Sequence, residues 1–371
     1  MHILFLNSWY PSRVLPLNGD FIQRHAEAVA SGHKVTSVHV ISDQKAIQKI
    51  EVDRSDIHNV YTVIGYIKHT RNPFSKLIRF IKTFQLIFKE LAFFDLVHVN
   101  RLYPFGMVAL YLKWFKKKPF IISEHWTGYH QNKKSIGFVE QFISNSITKN
   151  AAFVCPVSTN LANAMQELGL KGNYYPIPNV VDTSIFVPGE KSTTRFTFLH
   201  VSNMVDVHKN TTEILKTLAL FKKATPAFKL LLVGAGSSNF TPLINTLNLS
   251  TNVEVIDQVP HSKVAKYMQQ ANVFILFSNY ENLPCVILES FACGLPVIST
   301  NVGGISEYFP SGFGTLISKN NQQELLHAIQ NHYNEKAPCS KKEMHDYAVK
   351  HFSPTVICTK FTQLYLKALS K

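Results

Sequence analysis

The stretch at residues 277–307 constrains the fold more than any other part of this sequence. An apolar run at 271–277 leads into it and is typical of a buried parallel strand. Residues 285–293 form a helical pattern that can begin at Pro284, because a proline in the first turn of a helix loses no hydrogen bond. A second apolar run follows at 295–300. A strand, a helix and a strand in this order predict a parallel sheet with helices packed against it.

Two glutamates, Glu281 and Glu289, stand eight positions apart, the first in the loop after the strand and the second in the helix. We expect both to face the crevice at the carboxyl ends of the strands, where open α/β sheets bind ligands. Such a pair could serve acid/base chemistry, metal binding or hydroxyl recognition, or it could be two solvated side chains. The backbone amides of residues 282–285 open the helix and favour an anion such as phosphate, unless water satisfies them.

The alternation of strands and helices occurs twice along the chain, whose 371 residues suit two domains better than one. We predict a first domain over residues 1–186, a second over 187–353, and a C-terminal helix over 354–371 that returns to the first domain. The predicted fold class is α/β, with two doubly wound, Rossmann-like domains facing each other across a cleft. In the first domain, apolar runs predict strands at 3–6, 34–41, 96–99, 120–123 and 153–157.

The formal net charge of +14 favours an anionic partner such as nucleic acid, a membrane surface or a phosphorylated ligand, although many soluble proteins are simply basic. No nucleic-acid-binding module is recognisable, so no nucleic acid partner is expected. Residues 74–91 predict a basic amphipathic helix, which could bind an anionic membrane or simply cover the sheet. Its predicted apolar stripe consists of Leu77, Ile81, Phe84, Phe88 and Leu91. Lys116–Lys118 and Lys133–Lys134 add positive charge to the same domain.

Five cysteines without a CxxC pair argue against a disulfide framework or a structural zinc site and fit a reducing cytosol. No third carboxylate or histidine stands at ligand spacing near Glu281 and Glu289, so we expect no metal and no other cofactor. The chain opens on a strand-like run at 2–6 without a signal peptide, and no apolar run is long enough to span a bilayer. We therefore expect a cytoplasmic protein, either soluble or bound peripherally to the inner face of the plasma membrane.

Residues that match one known pattern extend along most of the chain. From the N-terminus they are Asn18-Gly19-Asp20-Phe21, Glu124-His125, Pro178-Asn-Val-Val-Asp182, Lys209-Asn210, Glu281, Glu289, Ala292, Gly294, Pro296-Val297, Gly303-Gly304 and Glu307. In this order they resemble the motifs of the retaining glycosyltransferases of family 4, the group 1 glycosyltransferases, which have the GT-B fold. The combination is far more specific than any single motif.

The resemblance implies a role for each matching residue. Glu289 would bind the ribose of the nucleotide, Glu281 would hold hydroxyl groups of the donor sugar, and Lys209 would neutralise the diphosphate. His125 would contact the sugar or the phosphate, and Gly19 would let its loop approach the phosphates. His125, Glu281 and Lys209 would thus be the catalytic residues. The implied donor site comprises Gly19, Asn203, Lys209, Glu281, Asn282, Leu283, Pro284, Cys285 and Glu289.

The resemblance also implies the reaction, which is transfer of a sugar from a nucleotide-sugar donor to a glycan or lipid-linked acceptor. The anomeric configuration would be retained, no metal ion would be needed, and the first domain would bind the acceptor. A lysine and a helix N-terminus aimed at the phosphates would stabilise the departing nucleoside diphosphate. Polysaccharide or cell-surface glycan biosynthesis is the expected setting. The alternatives are a sugar-nucleotide epimerase or phosphorylase of similar architecture, and a basic membrane- or nucleic-acid-binding protein without enzymatic activity.

Three positions depart from the family pattern. Asn203 stands where the family usually has an arginine, so Lys209 alone or another cation such as Lys263 would meet the phosphate charge. Asn282 replaces a common glycine after the first glutamate, and it could donate to the sugar or narrow the pocket. Val180 replaces a glycine of the P-N-G-V-D motif, so that turn cannot depend on an easy positive φ.

Overall fold

The computed structural model describes residues 1–130, 137–190, 195–335 and 339–370. The strands in this part of the chain are β1 His2–Asn7, β2 Lys34–Asp43, β3 Ile50–Ile57, β4 Val60–Lys68, β5 Leu96–Asn100, β6 Phe120–Glu124, β7 Phe153–Pro156, β8 Phe196–Val201, β9 Phe228–Val233, β10 Val253–Ile256, β11 Val273–Leu276, β12 Val297–Thr300 and β13 Gly314–Ile317. The helices are α1 Asp20–Ala30, α2 Pro73–Glu90, α3 Gly106–Lys116, α4 Phe138–Asn150, α5 Thr159–Glu167, α6 Asp206–Lys209, α7 Thr211–Lys222, α8 Thr241–Thr246, α9 His261–Gln270, α10 Cys285–Ala292, α11 Gln322–Asn334, α12 Lys341–Phe352 and α13 Pro354–Leu369.

The chain divides into two compact units. Unit 1 comprises Met1–Val180 together with Pro354–Lys371, and unit 2 comprises Val181–Ser353. The first boundary lies six residues before the one expected from the sequence, because Val181 already pairs with the end of α12, where its N–H donates to the Phe352 carbonyl at 2.9 Å. The second boundary falls at residue 354, where α13 begins.

Unit 1 contains a seven-stranded sheet in the order β3-β4-β2-β1-β5-β6-β7. All neighbouring strands are parallel except β3 and β4, which form an antiparallel hairpin turning through His58 and Asn59, both at positive φ. This hairpin at 50–68 is absent from the predicted strands. β3 is a mostly exposed edge strand rich in polar residues, and it therefore lacks the apolar run that marks the other strands.

The C-terminal helix α13 belongs to the core of unit 1 and packs against α1. Ile357, Phe361, Leu364 and Tyr365 recur every three or four positions and form the buried face of this helix. The Tyr365 hydroxyl lies 2.8 Å from Nδ1 of the buried His98 on β5. This polar contact fixes the helix over the sheet in one register.

Helix α2 buries only part of its predicted apolar stripe. Phe84 and Ile87 are buried in its C-terminal half, where Gly65 of β4 leaves room for the close approach of α2. Of the predicted apolar stripe, Phe84 is buried, whereas Leu77 and Ile81 are 53% and 47% exposed. The N-terminal half of α2 therefore presents apolar residues to solvent. Membrane binding by this helix stays a prediction.

Two further predictions concern charge and membranes. Lys116 and Lys117 are exposed at the end of α3. The Nζ atom of Lys118 lies 3.6 Å from the centroid of the Phe93 ring. The predicted basic pair Lys133–Lys134 lies outside the described residues. Within the described ranges, every helix is too short or too polar to cross a bilayer.

Unit 2 contains a six-stranded, fully parallel sheet in the order β10-β9-β8-β11-β12-β13. The apolar strands and the helices packed on them form its core, in which Phe198, Ile275 and Phe277 are buried. Strands β9 and β10 lie on one side of β8, and strands β11, β12 and β13 lie on its other side. The order of strands therefore reverses between β8 and β11.

Candidate active site

The candidate site of unit 2 lies where the strand order reverses. Strands β8 and β11 are parallel neighbours, with Val273 aligned to Phe198. The loops that follow them leave the same edge of the sheet side by side, which is where open α/β sheets bind ligands. The first loop forms the short helix α6, and the second leads into α10.

Lys209 at the end of α6 and Glu281 in the loop after β11 form an ion pair at this edge. The distance from Lys209 Nζ to Glu281 Oε1 is 2.5 Å, and the two side chains are only 12% and 6% exposed. Ser278 Oγ donates to the same carboxylate oxygen at 2.8 Å, and His208 Nε2 lies 3.6 Å from it. The structure thus brings two of the three predicted catalytic residues into direct contact.

The ion pair keeps Glu281 ionised in spite of its burial. Burial alone would raise the pKa of Glu281, but the charge of Lys209 and the nearby His208 ring outweigh it, and the pKa falls from 4.5 to about 2. A buried carboxylate without such partners would become protonated instead. At neutral pH the site therefore holds one ammonium and one carboxylate, each able to exchange its partner for a charged or hydroxylated ligand.

Three contacts tie the Glu281 loop to α6. The Asn279 N–H donates to the His208 carbonyl at 2.8 Å, and the Asn279 side chain donates to the Val207 carbonyl at 3.0 Å. The rings of His208 and Tyr280 stack, with centroids 4.2 Å apart and an interplanar angle of 3°. These contacts fix the geometry of the Lys209–Glu281 pair from both sides.

The glycine pair of the motif shapes the Glu281 loop. Gly303 has φ +61, and a Cβ built on it would lie 1.9 Å from the Glu281 carbonyl oxygen. The Gly304 N–H donates to the Asn282 carbonyl at 2.8 Å. A side chain at Gly303 would therefore push the Glu281 loop away from its position, which explains in physical terms why glycine stands there.

Helix α10 begins at Cys285, with Pro284 at its N-cap. Residues 282–284 before it are buried. Glu289 is also buried, in the second turn of α10. Burial, followed by the charge of Glu289, raises the pKa of the Cys293 thiol to about 12. The predicted roles of the 282–285 backbone in phosphate binding and of Glu289 in ribose binding stay predictions.

Asn203, at the position of the family arginine, is exposed after β8. Its side-chain oxygen accepts a hydrogen bond from the Val205 N–H at 3.4 Å, so it helps to form the turn into α6. A direct contact with a donor stays a prediction.

The predicted site residues Gly19 and His125 lie in unit 1. Gly19 precedes α1 at φ +76, and a Cβ there would lie 2.6 Å from the backbone carbon of Trp9. The glycine thus permits a close approach within its own loop. The role of the loop in approaching phosphates stays a prediction.

The His125 ring packs 4.7 Å from the Phe21 ring and 5.4 Å from the His25 ring, measured between centroids. Burial, followed by the nearby His25 and His98, holds the pKa of His125 well below its usual value, against a hydrogen bond with Asn179 that opposes this shift. His125 is therefore neutral at pH 7. Two motifs of the predicted pattern, at residues 124–125 and 178–182, thus meet through His125 and Asn179.

His208, Ser278 and Tyr280 also contribute to the site, although none of them is among the predicted site residues. Each lies within three residues of Lys209 or Glu281, and that adjacency to matched motifs is the signal that could identify them. In the parts of the chain that the structure describes, no group of three or more His, Cys, Asp or Glu side chains could hold a metal ion.

Two family models match the chain. The model for glycosyl transferases group 1 matches residues 182–351, and that for glycosyltransferase family 4 matches residues 24–185. Among curated proteins, a subunit of the phosphatidylinositol N-acetylglucosaminyltransferase from Arabidopsis thaliana is 25% identical over 221 residues, which is 58% of this chain and 49% of that protein. The chain thus spans about half the length of this relative. An uncharacterized glycosyltransferase of Methanocaldococcus jannaschii is 27% identical over 322 residues, covering 86% of each chain.

Solved structures resemble the protein over its whole length. Sucrose-phosphate synthase of Thermosynechococcus elongatus superimposes with a TM-score of 0.80 at 20% identity, covering all of both chains. Anabaena HepE in complex with UDP superimposes with a TM-score of 0.75 at 17% identity, covering 98% of this chain and 99% of that one. At such identities the likeness establishes the fold alone.

Two α/β units with mainly parallel sheets and these structural relatives define the GT-B class, which confirms the predicted class of two Rossmann-like α/β domains. The two family models together span residues 24–351, and the chain belongs to the group 1 glycosyltransferases.

Proposed function

We propose that the protein is a retaining, metal-independent glycosyltransferase that moves a sugar from a nucleotide-sugar donor to a glycan or lipid-linked acceptor, in polysaccharide or cell-surface glycan biosynthesis. The observation that supports this most directly is the largely buried Lys209–Glu281 pair, with side chains 12% and 6% exposed, at the edge of the unit 2 sheet. The ammonium group of Lys209 can bind a diphosphate, and the carboxylate of Glu281 can accept hydrogen bonds from sugar hydroxyl groups. Glu281 lies four residues before the start of α10. The family membership of the chain supports the same class of reaction.

In this proposal the donor separates the ion pair. Lys209 turns to the diphosphate, and Glu281 accepts hydrogen bonds from hydroxyl groups of the donor sugar. Ser278 and His208 remain beside Glu281 Oε1, so the carboxylate keeps polar neighbours when the lysine leaves. Lys209 and the positive end of the α10 dipole stabilise the nucleoside diphosphate as it departs. No metal ion is needed for that stabilisation.

The identity of the substrates is proposed from the relatives. Anabaena HepE was solved with UDP and with UDP-glucose, so uridine nucleotides are the first donors to test. The name of the Arabidopsis relative, which belongs to a phosphatidylinositol N-acetylglucosaminyltransferase, supports a lipid-linked acceptor.

Retention follows if the acceptor attacks from the face that the nucleoside diphosphate leaves. The new glycosidic bond then forms as the bond to the phosphate breaks, and the leaving phosphate takes the proton of the acceptor hydroxyl. Proton NMR of the product determines its anomeric configuration. Retention is the expected result, and an inverted product contradicts the proposed stereochemistry.

A transfer assay tests the proposed reaction. The protein is incubated with UDP-, GDP- and ADP-sugars, with and without glycan and lipid-linked acceptors, and release of the nucleoside diphosphate is measured. Release that depends on an acceptor is expected. Lys209→Ala and Glu281→Ala should each lower its rate about a hundred-fold or more. Lys216→Ala and Glu213→Ala, which remove an exposed ion pair on α7 of the same unit, should leave the rate unchanged.

The other outcomes of this assay contradict the proposal in distinct ways. Conversion of the donor sugar without an acceptor would indicate an epimerase, and a requirement for inorganic phosphate would indicate a phosphorylase. Failure to bind or turn over any nucleotide sugar would contradict an enzymatic role for this site, and salt-sensitive binding of nucleic acid in its place would favour the non-enzymatic alternative.

We also propose that the protein works in the cytoplasm, bound peripherally to the inner face of the plasma membrane through residues 74–91. The exposed apolar side chains of Phe74, Leu77 and Ile81 on α2 support this, together with exposed lysines on the same helix. Sedimentation with phosphatidylglycerol vesicles but not with phosphatidylcholine vesicles is expected, and the double variant Leu77→Ser, Ile81→Ser should lose it. Equal sedimentation of this variant and the wild type would contradict the assignment.

A further inference from the structure

Unit 1 has its own reversal of strand order, between β1 and β5. Trp9 is the second residue after β1, Arg101 directly follows β5, and Trp126 is the second residue after β6. These three strands are neighbours, so their loops leave the same edge of the sheet. The backbone N–H of Arg101 donates a hydrogen bond to the Ser123 carbonyl at 2.9 Å and holds the arginine at that edge. The position is the counterpart, within unit 1, of the Lys209–Glu281 position in unit 2.

The Arg101 guanidinium lies over two indole rings. Its central carbon is 4.3 Å from the centroid of the Trp9 ring and 5.1 Å from that of the Trp126 ring. Tryptophan is the best aromatic partner for a cation, and a guanidinium stacked on aromatic faces keeps its in-plane N–H donors for other partners. Arg101 itself has φ +68, a left-handed conformation that is uncommon for residues other than glycine and is often found at ligand sites.

Within the described residues, the Arg101 guanidinium forms no ion pair with a carboxylate. Among the described residues, no Asp or Glu oxygen lies within 4 Å of its guanidinium nitrogens. Arg13 of the same unit shows the contrasting arrangement, since it forms ion pairs with Asp43, Glu51 and Asp53. A half-buried guanidinium with aromatic neighbours and no carboxylate partner is suited to bind an anion from outside the chain.

The acidic residue next to this group serves to position the loops. Glu124, at the end of β6, is fully buried. Its carboxylate accepts hydrogen bonds from the N–H groups of Leu102 at 2.8 Å and Trp126 at 2.9 Å, and from the Tyr129 hydroxyl at 3.2 Å. One buried carboxylate therefore fixes both the loop that carries Arg101 and the loop that carries Trp126. The arrangement is built before any ligand arrives.

We propose that Arg101 binds an oxyanion, a phosphate or a carboxylate, on the acceptor substrate. The guanidinium presents paired N–H donors that match two oxygens of either group. The inference rests on the proposed function, because there the donor phosphates are assigned to Lys209 of unit 2 and the second substrate of a transferase is its acceptor. The enzyme is thus selective for an anionic acceptor.

Binding of simple sugars to the full-length protein tests this selectivity. Glucose, glucuronate and glucose 6-phosphate are titrated at constant ionic strength and saturating UDP, and the change in tryptophan fluorescence is followed. Trp9 and Trp126 flank Arg101, while the third tryptophan, Trp114, is exposed on α3. At least one anionic sugar should bind about ten-fold or more tightly than glucose. The tighter of the two identifies a carboxylate or a phosphate ligand, and equal affinity for all three sugars overturns the proposal.

Variants assign the effect to the guanidinium. Arg101→Gln should abolish the preference for the anionic sugar, whereas Arg71→Gln, which removes an exposed arginine from the same unit, should preserve it. If Arg101→Gln does not fold, Arg101→Lys keeps the charge and should still reduce the preference at least about three-fold, because an ammonium lacks the planar fork. An unchanged preference in the folded variant overturns the proposal.

A thermal-shift measurement with UDP distinguishes failure of the proposed function from failure of the proposed role of Arg101. UDP should raise the melting temperature of the wild type and of the Arg101 variants equally. A wild type that does not respond to UDP contradicts the proposed function, whereas a UDP response without selectivity for anionic sugars contradicts the role of Arg101 alone.

Discussion

Removing the charge of Lys209 should destabilise unit 2 by about 3 kcal/mol at pH 7. The perturbation is Lys209→Met, which keeps an unbranched side chain but leaves Glu281 buried without its ammonium partner. The pKa of Glu281 is lowered from 4.5 to about 2, and this fall corresponds to about 3 kcal/mol at 1.36 kcal/mol per pKa unit. Breaking a buried ion pair from one side typically costs about 3–5 kcal/mol, which agrees with this figure.

The pH dependence gives the prediction its sign. Because the folded-state pKa of Glu281 is depressed, its stabilising contribution is fully present above pH 4.5 and is lost as the pH falls towards about 2. The difference in unfolding free energy between the wild type and Lys209→Met should therefore shrink to about half at pH 3. The double variant Lys209→Met, Glu281→Gln removes both charges and should recover most of the loss.

Urea unfolding followed by far-UV circular dichroism measures these differences. Tryptophan fluorescence cannot report on the unfolding of unit 2, because all three tryptophans lie in unit 1. Hydrogen exchange in peptides that cover α6 and α10 therefore measures the local stability of unit 2. Lys216→Met is the matched control, because its pair with Glu213 is exposed and should be worth less than about 1 kcal/mol. A cost below about 1 kcal/mol for Lys209→Met, or an equal cost at pH 7 and pH 3, would refute the claim that Lys209 keeps Glu281 ionised.

Two further substitutions probe the same loop. Gly303→Ala should lower the thermal stability by several degrees and weaken UDP binding, because its Cβ would overlap the Glu281 carbonyl oxygen, whereas Gly137→Ala has open space and should have little effect in a melting experiment. Tyr280→Ala should weaken UDP-sugar binding about ten-fold in calorimetry through loss of the ring stacked on His208, while far-UV circular dichroism stays that of the wild type. Unchanged affinity would show that the stack does not position the site.

The sequence was sufficient to assign Lys209 and Glu281 to one site, but not to predict how they interact. The motif resemblance implies that Lys209 binds the phosphates and that Glu281 binds the sugar. These two residues are 72 positions apart in the sequence. Their ion pair follows from the adjacency of β8 and β11, which no local pattern encodes. For the same reason, no local sequence pattern identifies Arg101 as a site residue. Trp9, Arg101 and Trp126 come together only because of the order of the strands in the sheet.

The alternation of strands and helices predicts the parallel sheets, because buried parallel strands appear as apolar runs. It fails for β3, an exposed edge strand that carries no such run, whereas the apolar run of β4 does mark a strand. It identifies the apolar stripe of α2 but not how much of that stripe the sheet covers, because helical periodicity carries no information on neighbouring elements. Only the C-terminal half of α2 buries apolar side chains, and Leu77 and Ile81 in its N-terminal half stay exposed.

A hydrogen-exchange footprint of UDP tests the central claim most directly, which is that the edge of the unit 2 sheet around Lys209 and Glu281 binds the donor. Exchange of the wild-type protein is compared with and without UDP, and with the Lys209→Met, Glu281→Gln double variant. We predict slower exchange in peptides that cover α6 and residues 277–290 of the wild type, and no such change in the double variant. Slower exchange that leaves both of these segments unaffected, or an equal footprint in the double variant, would contradict the account.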